Sequence, residues 1–455
     1  MTGKSDMRAA AMHRAILAIA LPSMLTNVAT ALFGLADMWV IGRLGDASAQ
    51  GAVEIGAKLL MTLLIVFNFL RSGAVALTAQ AAGREDEPAQ TQALVRGLGV
   101  AVAVAVLLLL AMPMVIPAGL EMFSAKGAVA DLARTYVGIR YWGGVPWLLN
   151  AVLTGWLIGR RRVRAVMAVE VGSNLVHILL DVSLVLGLGL GVAGVAFATL
   201  SSEALKLAAL TGMASREAPA RRALAVVRSA DTWRAGEIGA LLRLNRDLFG
   251  RTLLLMAATV LLTRAGAQQG ATVLAANAIL YQLFMLSALL LDGFESAAQV
   301  LCGEALGAGQ RARFERLVRA ILLWAGGAAL LITAAYGLIG ARLAASFSTV
   351  PAVAATARAY IGWAVFLPAA GVVSFVFDGV FIGSSWTRAM LLGMAAALAV
   401  FVALLAAARP LGNHGLWLAF SLFFIARAAG QALMLPGLIR RSFPLAVLTG
   451  QERWA

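Results

Sequence analysis

Twelve apolar runs, each of about twenty residues or more, dominate this sequence and decide what it can fold into. They fall at roughly 15–42, 52–79, 93–117, 134–159, 166–187, 192–214, 242–265, 272–303, 316–341, 355–383, 387–408 and 414–439. A helix rises about 1.5 Å per residue, so such a run crosses a hydrocarbon layer about 30 Å thick. Backbone polar groups find no water in that layer and must bond within their own helix. The expectation is an all-α integral membrane protein with twelve transmembrane helices. Composition agrees: 61% of residues are hydrophobic and 13% are charged, against about half and a quarter in soluble domains.

The formal net charge of +15 does not point to nucleic acid, because the basic residues lie between the runs rather than along one soluble face. One set of alternate loops and ends holds Lys4, Arg8, Arg14, Arg84, Arg160, Arg161, Arg162, Arg164, Arg216, Arg221, Arg222, Arg228, Arg234, Arg311, Arg313, Arg316, Arg388, Arg440 and Arg441. The other set has little more than Arg43, Lys126, Arg264, Arg342 and Arg409. The positive-inside rule then places both termini in the cytoplasm. The single cysteine, Cys302, sits in an apolar run and excludes an internal disulfide. No small-residue cleavage site follows the first run, so that run is expected to remain as a span.

The chain repeats itself. "YVGIRYWGGVPWLLNAVLTGWLIGRRRVRA" from Tyr136 matches "YIGWAVFLPAAGVVSFVFDGVFIGSSWTRA" from Tyr360, an offset of 224 residues. Gly138, Gly155, Gly159 and Arg164 meet Gly362, Gly379, Gly383 and Arg388 at that offset, and "TAQAAG" ending at Gly83 meets "CGEALG" ending at Gly307. The unit is six helices, and an even number returns the chain to its starting side. Two six-helix bundles, 1–214 and 241–455, joined by a cytoplasmic linker at 215–240, are therefore expected about a pseudo-two-fold axis along the membrane normal. Such paired bundles around a central cleft are a transporter architecture that works by alternating access.

Polar residues inside the spans are the candidates for function. Ser23, Asn27, Thr30 and Asp37 share one face of the first helix, beside Pro22, which interrupts the hydrogen-bond ladder and permits a bend. Glu170, Asn174, His177 and Asp181 form a stripe on the fifth. Asp37 and Asp181 lie about five and six residues from the outer ends of their helices, and Thr199 of the sixth helix is at a matching level. Two close carboxylates in a poor dielectric do not both ionise easily, so the pair holds a proton. His177 is either a third titrating group or a satisfied packing residue. Glu54 with Lys58 is an i,i+4 ion pair, Glu170 pairs near Arg164 at the cytoplasmic edge, and Glu203 sits beside Lys206. Substrate-cavity candidates are Asn27, Thr30, Phe33, Asn150 and Glu203. The second bundle lacks an acid in its first helix. It carries Arg251, Asp292, Glu295, Asp378 and Arg427 instead, read as a neutralised network, with a second coupling site as the alternative.

Several stretches carry a family resemblance. "ALPSMLTNVATALFGLADMWVIGRLG" and "HILLDVSLVLGLGLGVAGVAFATLSSE" resemble the first, fifth and sixth helices of the multidrug and toxic compound extrusion (MATE) family. "NRDLFGRTLL", "LDGFESAAQ", "FDGVFIGSSWTRAM" and "LGNHGLWLAF" resemble its DinF-like branch. The resemblance implies cation-coupled export of small amphipathic or cationic compounds, usually against protons in this branch, from the bacterial inner membrane. It puts Asp37, Asp181 and Thr199 on coupling positions. His177 stands where the family usually has asparagine, with Asn174 able to take over its hydrogen bonds, and Phe33 where some relatives have tyrosine. No cofactor, no metal and no partner beyond substrate and membrane lipid are expected, and a monomer suffices. Three other readings remain: sodium coupling, export or flipping of an endogenous lipid-linked or metabolite substrate, and an intramembrane enzyme using His177 and Asp181. The last lacks a nucleophile, metal cluster or phosphate loop.

Overall fold

The computed structural model describes residues 2–443, with the backbone alone described for residues 2–9 and 32–36. Helices account for nearly all of it, and no strand occurs among the described residues. The order is α1 (Thr2–Gly42), α2 (Ala47–Gly83), α3 (Glu87–Met122), α4 (Gly127–Arg140 and Gly144–Gly159), α5 (Val163–Gly187) and α6 (Gly191–Ala214). Then follow α7 (Ala235–Ala267), α8 (Ala271–Gly307), α9 (Arg311–Ser346), α10 (Pro351–Gly383), α11 (Thr387–Ala407) and α12 (Gly412–Ser442). Eleven helices among the described residues are long and apolar enough to cross a membrane. The remaining one, α4, is interrupted by a 3-10 turn at Tyr141–Gly143, as α2 is at Val66–Asn68.

Helix ends follow local chemistry. The Asp46 carboxylate accepts from the Ser48 and Ala49 amides at the start of α2 (2.8 and 3.3 Å), and Asp86 accepts from Ala89 at the start of α3 (2.9 Å). These caps satisfy amides that have no partner within the helix. Pro351 opens α10, where its missing N–H and fixed φ suit the first turn. The helices outrun the apolar runs at several ends, because a helix continues into water once capped and paired. The expected linker at 215–240 is correspondingly shorter, since α7 already begins at Ala235. The rest of it folds into short helical turns at Ala218–Arg221, Ala223–Arg228 and Ala230–Trp233. These turns are tied to α3: the Thr91 hydroxyl donates to Pro219 O (2.9 Å) and the Arg96 guanidinium to Thr232 O (2.8 Å).

The chain forms two compact units that divide within α7. One comprises Arg14–Ala82 with Asp86–Leu253, and the other is chiefly Leu254 onward. In the first, Tyr136 of α4 packs among Val40, Ile41, Leu59 and Val195. Gly56 of α2 makes room for its ring, since a Cβ there would lie 2.4 Å from Tyr136 Cδ1. In the second, Phe284, Phe401, Trp417, Phe420, Phe423 and Phe424 form an aromatic core with ring centroids as close as 5.2 Å, a spacing that favours edge-to-face contact.

The 224-residue repeat is written into the helix crossings. A Cβ at Gly155 would stand 2.3 Å from Arg71 O and 2.9 Å from Ala74 Cβ. At Gly379 it would stand 2.3 Å from Glu295 O and 2.8 Å from Ala298 Cβ, the residues at the same offset. Gly159 against Val75 O (2.9 Å) and Gly383 against Gln299 O (2.3 Å) repeat the pattern. Each unit crosses its second and fourth helices on the same glycines, because only a residue without Cβ lets the two backbones approach this closely.

Candidate functional site

In the first unit α1 and α5 bring ionisable side chains to one point, and α6 adds hydroxyl and carbonyl partners. His177 Nε2 lies 2.7 Å from Asp37 Oδ1 and 2.9 Å from Asp181 Oδ2. The ring's other nitrogen, Nδ1, is 3.1 Å from Ser202 Oγ, and the Ser202 hydroxyl donates to Thr199 O (2.9 Å). All four side chains are buried, Asp181 completely. The local reason is helical spacing. His177 and Asp181 are i,i+4 on α5, which stacks them on one face, and Thr199 and Ser202 are i,i+3 on α6.

The Ser202 hydroxyl donates to a carbonyl, which leaves its oxygen as an acceptor toward Nδ1, and an ionised carboxylate only accepts. With both carboxylates ionised, His177 is an imidazolium and the triad carries one net negative charge. One more proton, placed on either carboxyl, makes the triad neutral. A single Nε2–H points to one acceptor at a time: the hydrogen bond runs to Asp37, while Asp181 is held at ion-pair distance. Neither oxygen of Asp181 has another hydrogen-bond partner among the described residues. Just beyond Asp181 the helix widens into a π turn, Val182–Gly187, in which the Leu188 amide reaches back five residues to Ser183 O (2.9 Å). Such turns recur at functional sites.

A cation completes the surroundings. Arg140 of α4 donates to the Tyr136 hydroxyl and lies over its ring at 5.4 Å, and its charge acts on both Asp37 and Glu203. The sequence reading missed it. The signal was present, because Arg140 is a charge within an otherwise apolar run. Ser202 was missed for another reason: Thr199 drew attention, yet its hydroxyl bonds to Val195 O of its own helix (3.1 Å) and only its carbonyl takes part.

The other candidates distribute as follows. Asn150 Nδ2 donates to Glu203 Oε2 (2.8 Å) and Glu203 O (3.0 Å), next along α6 from Ser202. Two turns toward the arginine-rich end of α5, Glu170 pairs with Lys206 at 2.7 Å. Lys206 thus bonds Glu170, where the sequence set it beside Glu203 and set Glu170 near Arg164. Asn174 lies on the same stripe, but its Nδ2 has no hydrogen-bond partner among the described residues. The triad is bridged by His177 itself. Ser23 is buried, Asn27 half-buried and Thr30 exposed, so the α1 stripe is not one continuous buried face. The Phe33 side chain lies outside the described residues. Helix α1 runs unbroken through Pro22, and the Thr26 hydroxyl donates to Pro22 O (2.9 Å). Glu54 and Lys58 form their ion pair at 2.6 Å on an exposed surface.

In the second unit Asp378 meets the Arg427 guanidinium and accepts from Gln431 Nε2 (2.8 Å). Arg427 also lies over Phe423 and Phe424, at 5.7 and 5.3 Å. Glu295 accepts from Gln299 Nε2 (2.9 Å) on α8, which also carries Asp292. Arg251 falls in the first compact unit. Among the described residues, Asp37, His177 and Asp181 are the group able to hold a metal ion, with ligand atoms within 4.8 Å of one another. A hard monovalent ion prefers oxygen throughout, and here the central ligand is the imidazole nitrogen.

The MatE family profile matches residues 22–183 and 249–408. DNA damage-inducible protein F of Escherichia coli (strain K12) is 35% identical over 420 residues, covering 92% of this chain and 91% of that one. A probable multidrug resistance protein NorM of Rhizobium meliloti (strain 1021) is 26% identical over 316 residues, 68% of this chain and 66% of its own. The outward-facing structure of a multidrug resistance MATE family transporter superposes with a TM-score of 0.85 at 20% identity, covering 95% of this chain and 96% of that one. The chain therefore belongs to the MatE family, whose members are membrane transporters and not enzymes.

Proposed function

We propose that this MATE-family chain exports small amphipathic or cationic compounds in exchange for protons, with Asp37, His177 and Asp181 as the exchange site. The observation that carries the reading is the single Nε2 facing two buried carboxylates at 2.7 and 2.9 Å. A triad one negative charge from neutrality takes either one proton or one monovalent cation, and taking one expels the other. Each ligand shifts the carrier only by its differential affinity for the two conformations. A bend of α1 near Pro22 would move Asp37 away from His177, so protonation of Asp37, which weakens that contact, favours the bend. Asn27, Thr30, Phe33, Asn150 and Glu203 are proposed to line the substrate path, with Glu203 held by Asn150. The names of the E. coli and Rhizobium relatives agree with a detoxifying role.

The imidazole favours the proton over sodium, since a small hard ion needs direct oxygen coordination and the bridging ligand here is a nitrogen, whereas a bulky organic cation needs only the site's charge. The second-unit network around Asp378 is proposed to be structural: its carboxylate already holds a guanidinium and an amide. The chain is proposed to lie in a bacterial cytoplasmic membrane with both termini cytoplasmic, to act as a monomer, and to rock its bundles, 1–214 and 241–455, about the linker 215–240. The test is uptake of a fluorescent lipophilic cation into proteoliposomes under separately imposed gradients. A pH gradient alone should drive uptake. Uptake that requires sodium and ignores pH overturns proton coupling, and no uptake under either gradient moves the reading to an endogenous lipid-linked or metabolite substrate.

A further inference from the structure

A cavity of about 430 Å³ opens at the arginine-rich end of α9, α10 and α12, all within the second compact unit. Its mouth carries Arg311, Arg319 and Arg440 with one acid, Glu315, and its walls include Leu322 and Phe377. Glu315 is already shared: it accepts from Arg311 Nε at 2.9 Å and lies 3.9 Å from Arg319. Three guanidiniums against one carboxylate leave an excess of two positive charges. The dipole of α9 adds to the same field, because Arg311 is the first residue of that helix.

The cavity's shape matches its charge gradient. Arg311 and Arg440 stand at the ends of their spans, and Arg319, farther along α9, turns its guanidinium back to within 3.9 Å of Glu315, whereas Leu322 is about 16 Å deeper than Arg311 at ~1.5 Å per residue. Phe377 is buried six residues before the end of α10. The charged mouth is therefore at headgroup level and the apolar floor within the hydrocarbon. Leu323 and Leu433, 75% and 83% exposed, mark neighbouring surface of α9 and α12 that only lipid tails can cover. A free anion would satisfy the mouth and leave the apolar walls uncovered; a neutral lipid would do the reverse. An anionic phospholipid fits both, its phosphodiester among the arginines and an acyl chain along Leu322 and Phe377. We infer that the cavity between α9, α10 and α12 is a binding site for one anionic phospholipid, its phosphate held by Arg311, Arg319 and Arg440. Basic pockets between membrane helices hold such headgroups, and Arg is suited to phosphate because its planar fork binds two oxygens at once.

The test uses the purified full chain in neutral detergent, titrated with dioleoylphosphatidylglycerol, dioleoylphosphatidylcholine or inorganic phosphate while Tm is followed. Phosphatidylglycerol should raise Tm to a plateau, and neither of the others should. The variant R311Q/R319Q/R440Q should need at least about ten-fold more phosphatidylglycerol for half-saturation, which is ~1.4 kcal/mol. Arg342→Gln with Arg409→Gln, exposed at the opposite helix ends, should behave as wild type. Glu315→Gln should bind more tightly, because it removes the competing carboxylate; a site of merely structural importance would not improve. Equal response of wild type and R311Q/R319Q/R440Q overturns the inference. So do equal effects of phosphatidylcholine, and a plateau reached with inorganic phosphate alone.

Discussion

His177→Leu removes both ring nitrogens while keeping a side chain of similar bulk. Two acceptors lose their shared donor, at 2.7 and 2.9 Å, and Ser202 loses the nitrogen at 3.1 Å. Removing one partner of a buried ion pair costs about 3–5 kcal/mol, because the remaining charge has neither water nor counter-charge. Asp37 and Asp181 share one cation, so the loss is one such penalty of about 4 kcal/mol rather than two. It should be largest at pH 8, where the pair, without its cation, must take up a proton from dilute solution or leave a charge buried. It should shrink as pH falls to 5 and below, where protons take the imidazolium's place. Adding Asp181→Asn to His177→Leu should restore much of the loss at pH 8, a coupling of about 1–3 kcal/mol between contacting residues. Thermal unfolding of the purified protein in detergent at both pH values measures all of this. The reasoning is refuted if His177→Leu is as stable as wild type at pH 8, or is destabilised equally at pH 5 and pH 8.

Gly155→Ala and Gly379→Ala should each lower stability by about 1–3 kcal/mol, since the new methyl meets a backbone carbonyl that no rotamer change can move. Gly172→Ala, with nothing within 4 Å, should be neutral or slightly stabilising, and Tm values that fail to separate the three would remove the crossing argument. In the connection after α6, burial opposes ionisation of Glu217, but hydrogen bonds from Arg162 (2.6 Å) and Arg160 (2.8 Å) outweigh it and hold the carboxyl below its ordinary range. A carboxyl lowered on folding stabilises above its unfolded value and loses that contribution as pH falls through the folded one. Glu217→Gln should therefore cost about 1–2 kcal/mol at pH 7 and nothing once wild-type Glu217 is itself protonated. A pH-independent difference between the two proteins would contradict this.

The spans and the repeat were legible because hydrophobic run length and a constant offset are one-dimensional signals. Gly155 and Gly379 could be paired from the text alone, and the structure adds that both face backbone at the same offset. Asp37, His177 and Asp181 stood out because an ionisable side chain in an apolar run has few benign explanations. Their order did not. Depth counting put Asp37 level with Asp181 but could not say that an imidazole stands between them, since that depends on how α1 approaches α5. Ser202 looked like an ordinary small polar residue, and serine is common at membrane helix contacts. Arg140 carried the same signal, a charge within an apolar run, but its place beside Asp37 depends on how α4 packs against α1. The connection at 215–240 was legible as a polar break between apolar runs, but not its turns, which are held to α3 by Thr91 and Arg96.

The claim that proton and substrate compete for one buried charge is tested most directly by counting protons. Tetraphenylphosphonium is added to the purified protein in weakly buffered detergent solution, and the released protons are measured with a pH indicator. At a pH where the triad is neutral, wild type should release about one proton for each cation bound, and D37N/D181N should release none. Unchanged release from D37N/D181N, or stoichiometric binding by wild type with no release at any pH between 6 and 8, would contradict the account.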